Sequence, residues 1–110
     1  MKQSIYDIGG EVIKDNETYI LKDNKQLKNL VISSTELKPG MSTRGHTHAG
    51  QEEVYYFISG TGEMELDNKR FNVQGSDVVL IEDGVFHRVH NNSNSNPLYF
   101  VCVFDGKRNH

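Results

Sequence analysis

Short runs rich in β-branched and aromatic residues recur along this chain, each closed by a turn signal. ETYIL (17–21) runs into the polar turn KDNKQ, and LVISSTEL (30–37) stops at Pro39-Gly40, a dipeptide that ends a strand. VYYFIS (54–59) closes at Gly60-Thr61-Gly62, and EMEL (63–66) alternates, with Met64 and Leu66 on one face and the glutamates on the other. DNK (67–69) reads as a hairpin turn into RFNV. DVVLI (77–81), the turn EDG, VFHRVH (85–90), the loop NNSNSNP and LYFVCVF (98–104) complete the series. No segment holds a helical period of useful length. The expected class is therefore all-β, an antiparallel sandwich or barrel.

At 110 residues this is one domain with a modest core. A formal charge of −3 and a sequence pI near 5.9, with no basic stripe, argue against nucleic acid or an anionic membrane as partner. No run approaches the roughly 18 apolar residues of a membrane span, and MKQSIYDIGGEV lacks the apolar core of a leader. With Cys102 alone unable to form an internal disulfide, a cytoplasmic, reducing setting is the expectation. The first fifteen residues and the tail DGKRNH are too polar to assign. LYFVCVF is apolar on both faces, which predicts a strand buried on both sides or one that meets a second copy in a homodimer.

The chemistry concentrates in MSTRGHTHAGQEEVYYFISG (41–60). In an extended strand His46 and His48 project from the same face, and two imidazoles on a rigid strand offer two nitrogen ligands at little entropic cost. A third donor from another strand would complete one side of a coordination shell for Fe, Mn, Ni, Cu or Zn, and the lack of cysteine there speaks against a structural thiolate site. Alone, an H-x-H on a surface strand often does nothing.

The surrounding spacing changes that. Gly40, His46, His48, Glu53 and Gly60 fill every fixed position of G-x5-H-x-H-x3–4-E-x6-G, the first motif of the cupin superfamily, which this stretch resembles. SDVVLIEDGVFHRVHN is similar to the second motif, G-x5-P-x-G-x2-H-x3-N. Gly84, His87 and Asn91 match it, while Ser76 stands for the first glycine, with Gly75 one place early, and Glu82 for the proline. Both departures fall on turn positions rather than ligand positions. The resemblance covers about Leu30 to Phe104. It implies a single cupin domain over 1–110, a double-stranded β-helix of jelly-roll type, with the barrel about 30–104, an N-terminal arm 1–29 and a polar tail 105–110.

Carried onto this chain, the resemblance implies His46, His48, Glu53 and His87 as ligands to one divalent transition metal. Glu52 competes with Glu53, and the six-residue count to Gly60 selects Glu53, leaving Glu52 solvated. Strand parity from Glu53 then sets Tyr55 and Phe57 on the cavity side and Val54, Tyr56 and Ile58 on the other. Tyr55 and Glu53 are the candidates for moving a proton, and Tyr55, Phe57, Arg44 and Arg88 for the substrate pocket, the arginines as anion holders. His90, at odd parity to His87, is expected to face away, and His110 to lie on the surface. Cys102 reads as an inert buried thiol and Asn91 as a turn former. The implied activity is that of a metal-dependent enzyme on a small polar carbonyl or sugar-like compound, with isomerase-like Lewis-acid chemistry. The alternatives are an Fe(II)-dependent dioxygenase of the quercetinase type and a non-catalytic small-molecule binder.

Overall fold

A computed structural model describes residues 1–106. Two antiparallel sheets face each other, and no helix occurs among the described residues. The strands are β1 (Glu11–Asp15), β2 (Tyr19–Asn24), β3 (Leu30–Leu37), β4 (Glu53–Ser59), β5 (Thr61–Leu66), β6 (Lys69–Gln74), β7 (Val78–Ile81), β8 (His87–His90) and β9 (Leu98–Asp105). The larger sheet has the order β1-β2-β3-β9-β4-β7 and the smaller β6-β5-β8. The segment before the second histidine extends the smaller sheet, since Ser42 bridges His90 and His46 bridges His87.

Alternation builds the core. Along β9, Leu98, Phe100, Cys102 and Phe104 turn inward beside Leu37, Thr35, Ser33 and Val31 of β3, while Phe57, Tyr55 and Glu53 of β4 face them from the other flank. Phe57 and Phe100 are at most 1% exposed, with ring centroids 5.3 Å apart. Met64 and Val89 of the smaller sheet close over them at 0 and 1% exposure. Each such side chain contributes about 1.5–3 kcal/mol on leaving water. Asn91, the turn former, is 2% exposed and ties the loop to the core by donating to Leu37 O at 3.0 Å and Asn96 O at 2.9 Å.

Three sequence expectations need correction. KDNKQ is a turn only from Lys25 onward, because Lys22, Asp23 and Asn24 complete β2. Their polarity misleads: Lys22 Nζ reaches Asp7 at 2.7 Å on the outside, and Asn24 Nδ2 donates to Ile8 O at 2.7 Å. The unassigned first fifteen residues supply strand β1 and an arm on the outer face of the larger sheet, where the Tyr6 ring stacks on Tyr99 at 5.7 Å. The strand expected at 85–90 begins only at His87, because Val85 N closes a turn onto Glu82 O. β9, apolar on both faces, is the central strand between β3 and β4. Of the polar tail, Asp105 ends β9, and residues 107–110, including His110, lie outside the described residues.

Candidate metal centre and cavity

Three buried donors converge at one end of the space between the sheets. Glu53 opens β4 and is 7% exposed, His87 opens β8 at 3%, and His48 follows the strand-like segment at 8%. Glu53 Oε1 lies 3.4 Å from His48 Nε2 and 3.6 Å from His87 Nε2. One donor atom from each of the three falls within 4.8 Å of the others. His46 is held on β8 by a reciprocal backbone pair with His87, at 3.0 and 2.9 Å. Its ring stacks on His48 at 5.5 Å and sits 6.3 Å from His87, lining the same cavity but outside the tight trio.

This donor set fits a cation. His87 Nδ1 is 3.1 Å from Val85 O, and a carbonyl only accepts, so Nδ1 carries the hydrogen. Burial holds the His87 imidazole below its ordinary value, an effect that the hydrogen bond to Val85 opposes. In the neutral ring, Nε2 is then a lone pair facing a carboxylate oxygen. Two electron-pair donors aimed at one point are stabilised by a positive charge between them, and the backbone carbonyl behind Nδ1 is the usual orienter of a ligating imidazole. Glu52 is exposed and turned to solvent, as the motif count requires.

A cavity of about 660 Å³ leads to this cluster. Tyr55 lines it, with its ring edge-on to His87 at 5.7 Å. Arg44 and Arg88 stand on its wall, and Arg88 Nε donates to Thr43 O at 2.8 Å. Phe57, expected in the pocket, is a correction: it is wholly buried one layer deeper, packed on Tyr55 and Phe100, and supports the floor. Sequence reasoning missed the opposite wall, where β1 contributes Lys14, the β1–β2 turn Thr18, β2 Leu21, and β3 Ser33 and Thr35. The signal for Ser33 and Thr35 was present in LVISSTEL, since both share parity with Val31 and Leu37. Cys102 lines the cavity as a buried thiol outside any disulfide.

His90 does not line the cavity. Its Nδ1 meets Ser42 Oγ at 2.6 Å and its Nε2 meets Glu65, pinning the segment that carries His46 and His48 onto the smaller sheet. That contact is the first of the causes that hold Glu65 below the usual carboxylate range.

With fold and cluster established, comparison places the chain. Its residues 33–104 match the Cupin domain family, so the chain belongs to the cupins. An uncharacterised protein of Methanocaldococcus jannaschii is 30% identical over 95 residues, covering 76% of this chain and 75% of that one. An oxalate-binding protein of Thermotoga maritima is 27% identical over 95 residues, covering 86% and 78%. Among solved structures, KdgF from Halomonas sp. superposes with a TM-score of 0.76 at 14% identity over 89% of both chains. The oxalate decarboxylase of Bacillus subtilis, a protein with Mn(II) centres, gives 0.80 at 24% identity over 91% of this chain and 29% of that one. The fold is thus the double-stranded β-helix shared with such structures.

Proposed function

We propose that this cupin is a metal-dependent enzyme acting on a small, polar, anionic carbonyl or sugar-like compound. The observation that carries the reading is the cavity: it ends on His48, Glu53 and His87 and is walled by hydroxyls and by the cations of Lys14, Arg44 and Arg88. His46, His48, Glu53 and His87 would hold one divalent ion of the Fe, Mn, Ni, Cu or Zn type. When bound, it supplies Lewis-acid polarisation of a ligand oxygen. The chain's own groups do the rest. Lys14 and Arg44 draw in an anion and orient it, the Thr18 and Thr35 hydroxyls donate hydrogen bonds to its oxygens, and the Tyr55 hydroxyl moves a proton at the inner end. The oxalate-binding relative supports a small anionic ligand.

The walls speak less for an Fe(II)-dependent dioxygenase of the quercetinase type, which calls for a mainly apolar pocket around an electron-rich ring. The buried thiol of Cys102 supports a reducing, cytoplasmic setting.

Elemental analysis of untagged protein beside His48→Ala tests the centre, with about one transition-metal ion per chain expected, lost in the variant. Anaerobic incubation of the loaded protein with hydroxy-keto acids and sugar phosphates, followed by NMR, tests the reaction. Conversion without oxygen supports the proposal, and oxygen uptake by the Fe(II) form transfers it to the dioxygenase. Absence of any stoichiometric metal after anaerobic reconstitution overturns both and leaves a binding module.

A further inference from the structure

Ser42, His90 and Glu65 form a hydrogen-bonded series that the metal centre does not use. Ser42 Oγ lies 2.6 Å from His90 Nδ1, and His90 Nε2 meets Glu65 Oε1. An ionised carboxylate only accepts, so in the neutral ring Nε2 carries the hydrogen and Nδ1 is a lone pair. The Ser42 hydroxyl then donates to that lone pair. Hydroxyl, imidazole base and carboxylate thus stand in the order that activates an oxygen nucleophile, a constellation known by its geometry and roles on unrelated folds. Either ring nitrogen can serve as the base, provided that the other is held protonated.

The surroundings fix the direction of this series. Arg70 holds Glu65 from the other side, with Nη1 3.6 Å away and Nε donating to Glu63 at 3.0 Å. The His90 hydrogen bond, aided by the nearby guanidinium groups, keeps the Glu65 carboxyl below its usual range, so the acceptor stays ionised. The base is buried, with the His90 side chain 11% exposed, whereas Ser42 is half-buried and lines the cavity. A bulge sits beside it. Ser42 bridges His90 and His46 bridges His87, four residues against three, and Gly45 between them holds φ at 87°. Bulges re-aim side chains and recur next to active sites. The same segment continues along the cavity with Thr43, Arg44 and His46.

We propose that Ser42 is a base-activated nucleophile, and that this cluster hydrolyses small esters whose acyl part carries a carboxylate, independently of the metal. Arg44 and Arg88, which line the cavity with Ser42, match that carboxylate. Ser42 Oγ bonds to the carbonyl carbon while its proton passes to His90 Nδ1. The ester C–O bond breaks, and the departing alkoxide takes that proton. Water then attacks the acyl-serine and gives its own proton to Nδ1. Ser42 Oγ leaves with that proton, and the carboxylic acid is released. Glu65 acts through His90 as a positioning residue.

An alkyl fluorophosphonate, incubated with the full chain before and after metal stripping, reads the nucleophile by peptide mass spectrometry. A single adduct on Ser42, formed equally fast in both samples, is expected. His90→Gln should slow it at least about 100-fold. Glu65→Ala should slow it too, and Glu65→Gln, which still offers Nε2 an oxygen, should restore part of the rate. Mono-p-nitrophenyl succinate should turn over faster than p-nitrophenyl acetate, and Ser42→Ala should hydrolyse neither. Ser42→Cys keeps the test valid if His90→Gln does not fold. Its thiol, beside the same base, should react with iodoacetamide at neutral pH about tenfold faster than free cysteine. No adduct on Ser42, an adduct formed as fast in His90→Gln, or a Ser42→Cys thiol no faster than free cysteine would each overturn the nucleophile. Equal turnover of the two esters would overturn the anionic acyl class, and labelling lost on stripping would overturn independence from the metal. Because labelling needs no bound ion, its failure leaves the reading of the metal centre untouched.

Discussion

Replacing Glu53 by glutamine removes a charge and a ligand at nearly constant volume, and the structure fixes what each loss should do. In the metal-free chain a 7% exposed carboxylate faces two imidazole nitrogens at 3.4 and 3.6 Å, of which His87 is held toward its neutral form by burial. Such a charge forfeits several kcal/mol of hydration, which an incompletely charged neighbour does not return. Glu53→Gln should therefore leave metal-free stability unchanged or raise it by about 1 kcal/mol, some 4–8 °C in a domain of this size. With the ion at a hundred times its dissociation constant, the wild type gains about 2.7 kcal/mol, or roughly 10–20 °C. Losing an orienting contact costs 10–100-fold in affinity, so losing a direct ligand should cost at least about 100-fold and leave only ~0.4 kcal/mol of that gain. Scanning calorimetry of EDTA-stripped protein, with and without added Mn(II), Ni(II) or Zn(II), measures both quantities. Glu52→Gln, at an exposed position, should keep the full metal-induced rise. If Glu53→Gln kept that rise, or if the stripped variant fell by more than about 2 kcal/mol, Glu53 would be a structural residue and the centre misassigned.

Other outcomes follow from single positions. Ser76 holds φ at 81°, in the left-handed region where an L side chain is strained, so Ser76→Gly should raise stability by about 0.5–1 kcal/mol in urea unfolding. Phe57→Ala empties the floor beneath Tyr55 and should cost about 3–5 kcal/mol by the same assay. His87 gives a pH signature in the stripped chain. With its folded value below the ordinary 6.5, the unfolded state binds more protons between the two values, so stability present above that pH declines as pH falls through the window. His87→Gln should flatten this part of a stability–pH curve, and an unchanged slope would refute the burial argument.

The strand pattern was legible wherever one face was apolar. LVISSTEL became β3 residue for residue, and VYYFIS became β4 with Glu53 added at its start. It failed at β1 and at the end of β2, where side chains that read as polar are satisfied individually, Lys22 by Asp7 and Asn24 by Ile8 O. A hydrophobic period cannot register such partners, because they come from an arm remote in sequence. Of the four residues that the motif pointed to, His48, Glu53 and His87 converge and His46 stands outside that trio, since side chains fixed near strand ends carry their spacing in the chain. It was silent on the cavity's far wall, where Lys14 and Thr18 arrive through the β1–β2 pairing. The mismatch at Ser76 was informative in another way: the backbone there takes the glycine-type φ although the residue is serine, so the turn geometry fits the motif where the residue does not.

The placement of the donors bears on how the centre and the fold depend on each other. Glu53 belongs to the larger sheet, whereas His87 belongs to the smaller, and His46 is bonded to that same strand. β4 passes into β5 at its far end, beyond Phe57, whereas at the donor end the two sheets are linked by the 48–53 segment and by the 82–86 turn between β7 and β8. An ion held by both would act as a cross-link between sheets as well as a Lewis acid. Its removal should then loosen the two sheets near the cavity more than at the Phe57–Phe100 end, where packing alone suffices. Amide exchange in stripped and loaded protein tests this. Protection should rise on loading at residues 44–48 and 85–88 and hold steady around Leu98 and Phe100. Uniform protection across both sheets would mean that the ion only shifts global unfolding and that the sheets are locked without it.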